Sequence, residues 1–307
     1  MSRERPRNIA ASVADRLLQR ARQTGEEHQL LLTRFGLERL MYRLSESPAR
    51  DRFVVKGALL FLVWAEEPFR ATRDLDLLAV REPSPQELLE LFRGLGDVTV
   101  VEDGLVFDPA TVEVSEIRED QQYGGLRVTM RARLGKIVIP IQVDIGFGDA
   151  VTPEPKAEPF PVLLDFPPPV LRLYPRETVV AEKFEAMEQL GLLNSRMKDY
   201  YDLWILARQY AFDGELLCRA VRNTFRRRKT DLPAGEPEGL SEAYATDRAK
   251  NAQWTAVARR ARLRAGPREL QEAIELLHRF LLPVLEAARQ NRAFSSHWPP
   301  GGPWHSR

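Results

Sequence analysis

Apolar positions recur every three to four residues over most of the chain, and every second residue in a central stretch. The first helical run covers 8–45, where Ile9, Val13, Leu17 and Leu18, then Leu30, Leu31, Phe35 and Leu40 share one spacing. The period then shortens. Phe53-Val54-Val55 predicts a short strand, Lys56-Gly57 a turn, and 58–64 a buried helix that Glu67-Pro68 ends. Residues 75–80 predict a second strand, with Asp74 and Asp76 on either side of Leu75. A helix suits 86–95, closed by Gly94 and Gly96. Val, Ile and Thr dominate 98–145; they predict strands near 98–101, 112–118, 126–133 and 137–145, with hairpin turns at Gly124-Gly125 and Leu134-Gly135. Seven prolines between Pro153 and Pro169 exclude regular structure there and predict an extended connection. Helical spacing resumes over 177–190, 198–211, 215–227, 241–263 and 267–289, and the Pro/Gly-rich tail from Asn291 is expected to be disordered.

This pattern predicts an α+β protein. Residues 1–165 form an α/β domain with N-terminal helices, 166–290 a helical domain and 291–307 a tail. With 307 residues and 44% apolar content, the chain can bury a sizeable core. One cysteine, Cys218, excludes an intrachain disulfide, and the four histidines show no pair at metal-ligand spacing. No apolar run resembles a secretory leader or reaches the roughly 18 residues a bilayer span needs. A cytoplasmic chain without membrane association is expected. The net charge is only +1, but it is unevenly spread. From Arg219 to Arg268 there are thirteen Lys or Arg against five Asp or Glu, led by Arg226-Arg-Arg-Lys229 and by Arg259, Arg260, Arg262 and Arg264. Such a region either forms a solvated helix face or holds a nucleic-acid backbone.

The chemistry centres on Arg70-Ala-Thr72-Arg-Asp74-Leu-Asp76. In a strand, residues i and i+2 face the same way, so Asp74 and Asp76 project together while Leu75 and Leu77 turn to the core. Paired carboxylates repel, and a divalent cation with a taste for oxygen removes that cost. A third acid, Asp144, sits in the predicted strand Ile-Pro-Ile-Gln-Val-Asp-Ile. If the two strands are neighbours, the three acids form one Mg2+ (or Mn2+) site able to activate a hydroxyl and neutralise pyrophosphate. Without that adjacency, Asp-x-Asp is an ordinary polar strand face. Lys56, Gly57 and Ala58 open the following helix, whose first N–H groups suit a phosphate.

The order strand, Gly turn, helix, Asp-x-Asp strand, later Asp strand resembles the polymerase-β-like nucleotidyltransferases. A second block adds to it: Tyr174-Pro-Arg-Glu-Thr-Val-Val-Ala-Glu-Lys183-Phe-Glu-Ala, then Asn194-Ser-Arg196-Met-Lys198-Asp199-Tyr-Tyr-Asp202-Leu. Together with Lys56-Gly57-Ala58 and Arg70 to Asp76, these residues resemble the AbiEii/AbiGii family of nucleotidyltransferase toxins over roughly 50–210.

The resemblance implies a nucleotidyltransferase that uses an NTP. It makes Asp74 and Asp76 the metal-binding pair and Lys183 a phosphate contact. Asp199 becomes a catalytic base or the group that holds Lys183, and Asp202, three residues on along the same helix face, a further candidate. Arg70, Thr72 and Arg196 join Lys56, Gly57 and Ala58 as expected nucleotide contacts. The implied role is the toxin of a toxin–antitoxin or phage-defence system, with transfer RNA as acceptor and a cognate antitoxin as partner. A small molecule or a protein side chain is the alternative acceptor; a catalytically inactive binding partner is a third reading.

Overall fold

The computed structural model of the protein describes residues 8–64, 72–117, 124–260 and 266–306. Arg70, one of the expected nucleotide contacts, and the Glu67-Pro68 break lie outside the described residues. The chain divides into two compact units. The first comprises residues 1–148 and 156–173, the second 149–155 and 174–307.

Sheet and helices alternate in the first unit. Helices α1 (Ile9–Thr24) and α2 (His28–Ser45) precede strand β1 (Phe53–Lys56), helix α3 (Leu60–Trp64), strand β2 (Leu75–Ala79) and helix α4 (Pro85–Leu95). Strands β3 (Leu105–Glu116), β4 (Gly125–Leu134), β5 (Ile137–Phe147), β6 (Lys156–Pro159) and β7 (Val170–Leu173) follow. Local chemistry sets several boundaries. Asn8 accepts the Ala11 N–H and Gly25 closes α1 in the left-handed conformation. Ser84 and Glu87 form a reciprocal capping box ahead of α4, with Pro85 at its first position.

Among the described residues the strands make one sheet in the order β3-β4-β5-β2-β1-β7-β6. It is mixed: β2 runs parallel to β5 and β1 to β7, while the remaining neighbours are antiparallel. Alternation on β5 turns Ile139, Ile141, Val143 and Ile145 into the core and Gln142 and Asp144 to the other face. Helix α2 covers the apolar face with Phe35, Leu40 and Leu44, each a burial worth about 2 kcal/mol. Its close approach depends on Gly36, where a Cβ would stand 2.7 Å from Ile141 Cδ1.

Beneath α2 lies a buried ion cluster. Arg39 Nε donates to Asp103 Oδ2 at 2.9 Å, and Arg43 grips both Asp103 oxygens at 2.7 and 3.1 Å. Burial pushes the Asp103 carboxyl up, but the hydrogen bonds and charge of Arg43 and Arg39 outweigh it and hold the group below the ordinary aspartate range. Asp103 is 1% exposed and Arg39 0%, so this cluster is part of the core.

Several elements depart from expectation; the helix expected over 241–263, for one, is divided at Asp247 into Glu242–Thr246 and Arg248–Arg260. Residues 98–101 are not a strand: pairing of β3 with β4 ends at Leu105 opposite Leu134, and among the described residues no strand pairs with the preceding valines. Inside β3, Pro109 falls in an irregularity between Asp108 and Glu113, where a ladder tolerates proline. The proline-rich connection also holds regular structure. Lys156–Pro159 forms the outermost strand, paired with β7, and an edge position does not need the N–H that Pro159 lacks.

The second unit is mainly helical. It contains α5 (Arg176–Leu190), α6 (Met197–Gln209), strand β8 (Phe212–Asp213), α7 (Gly214–Arg228), α8 (Glu242–Thr246), α9 (Arg248–Arg260) and α10 (Leu270–Arg289), then strands β9 (Ser296–Trp298) and β10 (His305–Ser306). The tail expected to be disordered instead joins a small sheet, β10-β9-β8. Its anchors are aromatic. Trp298 is fully buried, donates to the Ala207 carbonyl at 2.7 Å and packs 4.9 Å from the Phe280 ring centroid, while Trp304 donates to the Phe280 carbonyl at 3.0 Å.

Candidate functional site

Strand β2 carries Asp76, the residue just before that strand is Asp74, and strand β5 carries Asp144. Asp76 and Asp144 are Cα partners in the parallel β2–β5 register, so their side chains leave the same face side by side. Asp74 lies two residues before Asp76 and shares that direction. Carboxylate oxygens of Asp74, Asp76 and Asp144 all lie within 4.8 Å of one another, and all three residues are partly buried. The adjacency on which the sequence argument depended is therefore present. An all-oxygen, triply anionic donor set at this spacing fits a small hard divalent cation.

Neighbouring residues shape the cluster. Thr72 donates its hydroxyl to Asp74 Oδ1 at 2.5 Å. Lys56 is the antiparallel partner of Asp76, so its ammonium stem rises from the same row of the sheet. Gly57 adopts φ +74°, and a Cβ there would fall 1.8 Å from Asp76 Oδ2. No other residue fits the position, because a side chain would both strain the backbone and displace the carboxylate. From Gly57 the chain passes through a 3-10 turn over Gly57–Leu59 before α3 begins, and Ala58 is buried within it.

Arg127 is the main residue that sequence reasoning missed. Its guanidinium forks onto Asp144, Nε to Oδ1 at 2.7 Å and Nη2 to Oδ2 at 2.8 Å. Gln142 Nε2 reaches both oxygens of the same carboxylate at 3.3 Å. The signal was available. Leu134 pairs with Ile137 across the Gly135 turn, and counting back along that hairpin brings Arg127 opposite Asp144.

A second constellation lies in the helical unit. Lys183 on α5 hydrogen-bonds to Asp199 Oδ1 and stands 3.0 Å from Asp202 Oδ2. Asp199 sits in the first turn of α6, and Asp202 follows on the same face, 1% exposed. Both acids of the Asp199/Asp202 pair therefore meet one ammonium. Arg196 is the N-cap residue of α6, with its own N–H bound to Asn194 Oδ1 at 2.8 Å. Burial pushes the neighbouring Tyr200 hydroxyl far up, so it stays neutral and donates to the Gly239 carbonyl at 2.9 Å.

The basic region is only partly a surface. Arg219, Arg226, Arg227 and Lys229 are exposed, but Arg228 turns inward. It reaches Glu185 at 2.8 Å, Asp149 at 3.1 Å and Glu182 at 3.5 Å. Burial alone would lower its pKa; Glu182, Asp149 and Glu185 override that and raise it. Arg228 thus ties α7 to α5 and to the segment around Asp149, and its guanidinium is taken up by these three acids. Thr152 adds to the same anchorage by exchanging hydrogen bonds with Thr178 and accepting one from Asn223.

Comparison with known proteins bears on this arrangement. Residues 39–276 match the family described as nucleotidyl transferase AbiEii toxin, type IV TA system. No curated protein matches the chain. Among solved structures, JHP933 from Helicobacter pylori aligns over 85% of this chain and 92% of its own, at 16% identity and a TM-score of 0.43. A candidate nucleotidyltransferase from H. pylori aligns over 86% and 96%, at 14% identity and a TM-score of 0.44.

Proposed function

Because the chain belongs to the AbiEii family of nucleotidyl transferase toxins, we propose that it transfers a nucleoside monophosphate from an NTP to a hydroxyl of an RNA, with transfer RNA as the acceptor class. The observation that carries the catalytic part is the convergence of Asp74, Asp76 and Asp144. In the proposed step the acceptor oxygen attacks the α-phosphorus, its proton passes to a carboxylate of the cluster, and pyrophosphate leaves. Asp74, Asp76 and Asp144 would hold a Mg2+ or Mn2+ ion, which neutralises phosphate charge and lowers the acceptor's pKa.

The chain's own groups do the positioning. Gly57 keeps Asp76 in place, and Thr72 orients Asp74. Lys56, across from Asp76, and Thr72, bonded to Asp74, border the carboxylates; they are assigned to the nucleotide together with Gly57 and Ala58. Lys183 is assigned to phosphate, held by Asp199 and Asp202, with Arg196 as a further phosphate contact; the ion pairs to Lys183 support the holding role. The helical region, 166–290, is assigned to the acceptor through Arg219, Arg226, Arg227 and Lys229, which are exposed. A cognate antitoxin completes the system, and a cytoplasmic setting suits both substrates. No described helix is long and apolar enough to cross a membrane.

The test is incorporation of each α-labelled NTP into total bacterial RNA, with Mg2+, by the purified protein and by Asp76→Ala. Label in RNA that falls by about a thousandfold in the variant is expected, since several kcal/mol of charge stabilisation are removed. Label in protein or in small acceptors, with none in RNA, would replace the RNA acceptor. No transfer by folded protein to any acceptor would leave a binding role.

A further inference from the structure

The third carboxylate carries an unusual load. An ionised carboxylate offers about four lone-pair sites. Asp144 receives four contacts: one Arg127 donor and the Gln142 amide on each oxygen, at 2.7, 2.8, 3.3 and 3.3 Å. Yet its oxygens also complete the carboxylate group around Asp74 and Asp76. A cation that binds all three acids must therefore take a lone pair already in use. The Gln142 contacts are long and bifurcated, so they yield first. That opens one lone pair on each oxygen, but the planar fork still neutralises Asp144 and sets a positive charge beside the incoming one.

We propose that Arg127 is a built-in counter-ion which a divalent cation must displace from Asp144, so that Arg127 sets the metal affinity of the cluster. The proposal rests on the metal reading above and deepens it. Three features make the exchange feasible. Arg127 lies directly opposite Asp144 on β4, so side-chain rotation alone breaks the fork, with no change in the sheet. The Arg127 side chain is 37% exposed, which gives the displaced guanidinium water to enter. Asp144 is less exposed, at 18%, so the charge left behind is bound to the cluster and not to bulk solvent.

The opposite role predicts the opposite sign. A partner that merely orients a metal ligand strengthens binding, and its loss costs about 10–100-fold in metal affinity. A competitor weakens binding, and its loss tightens it.

Direct Mn2+ binding to the metal-stripped full-length protein, read by electron paramagnetic resonance of free Mn2+ without nucleotide, separates the two. Arg127→Gln is expected to bind Mn2+ about tenfold or more tightly than the unsubstituted protein. Arg127→Lys, which keeps charge but not the fork, is expected to fall between them and covers the case in which the glutamine variant misfolds. Weaker or unchanged affinity in the folded variants, with binding lost in Asp76→Asn, would overturn the role of Arg127 alone. Absence of Mn2+ binding in all of them would overturn the metal reading and this inference with it.

Discussion

Two charged clusters in the sheet-bearing unit are built from the same residue types in opposite ratios. At Asp103 two guanidiniums close on one carboxylate, fully buried. At Asp74, Asp76 and Asp144 three carboxylates converge, one of them gripped by the Arg127 fork, and all three remain partly buried. The first is closed on itself: both guanidiniums grip the one buried carboxylate, and any ligand would have to break that grip. In the second, three acids converge at partial burial, with Arg127 on Asp144 and Lys56 across from Asp76. Carboxylates that converge at partial burial mark a site, whereas a carboxylate closed over by guanidiniums at full burial marks a strut.

The comparison breaks if both clusters respond alike to loss of an acid. Asp103→Ala leaves Arg39 and Arg43 buried without their carboxylate, and a loss of about 3–5 kcal/mol in unfolding free energy is expected by urea titration. Asp76→Ala, by contrast, should silence transfer with a much smaller loss of stability, since Asp76 is only partly buried and its removal also relieves repulsion between acids. A comparable loss of stability in the two variants would make the Asp76 cluster a second strut.

Gly57→Ala sharpens the contrast at intermediate size. The added methyl cannot coexist with Asp76 Oδ2 at 1.8 Å, so the carboxylate must move. Displacement of that order costs on the order of a hundredfold in rate. The backbone penalty at positive φ is about 1–2 kcal/mol. Transfer activity and a melting curve measured on one preparation separate the two effects.

The smallest effect is a pH dependence. Asp103 has a folded pKa below its ordinary value of 3.8, so its contribution is present in full above that value and is lost as pH falls through the lower, folded one. Unfolding of the unsubstituted protein should therefore steepen in acid below about pH 4, and Asp103→Asn should flatten that limb. An unchanged acid limb in the variant would show that other carboxylates govern it.

Short-range features were legible in the sequence. Strand alternation places Asp74 beside Asp76, and the helical period marks α5 and α6, which carry Lys183 and Asp199. What escaped depends on register and partners. Whether β2 lies beside β5 is a matter of topology, which no local pattern of Asp144 reveals. Residues 98–101 have the propensity of a strand but no partner, while Lys156–Pro159 has poor propensity and a partner in β7. The tail was misread because its turn-forming residues outnumber its two anchoring tryptophans, Trp298 and Trp304. Arg228 looked like one more charge in a basic run; only the acids of Glu182, Glu185 and Asp149 around it show that it faces inward.

The division of the chain into its two units also has a consequence for heredity. Residues 149–155 belong to the helical unit, yet 156–173 return to the sheet before the helices resume at 174. Neither unit is encoded by one uninterrupted stretch. A recombination event with a single junction can therefore exchange neither whole: a break after 148 leaves β6 and β7 on the wrong side, and a break after 173 carries Asp149 and Thr152 away from Arg228, Thr178 and Asn223. Only an exchange with matched junctions at all three crossings preserves both. A chimaera of two related chains joined at any one of these junctions is therefore expected to carry a unit of mixed parentage.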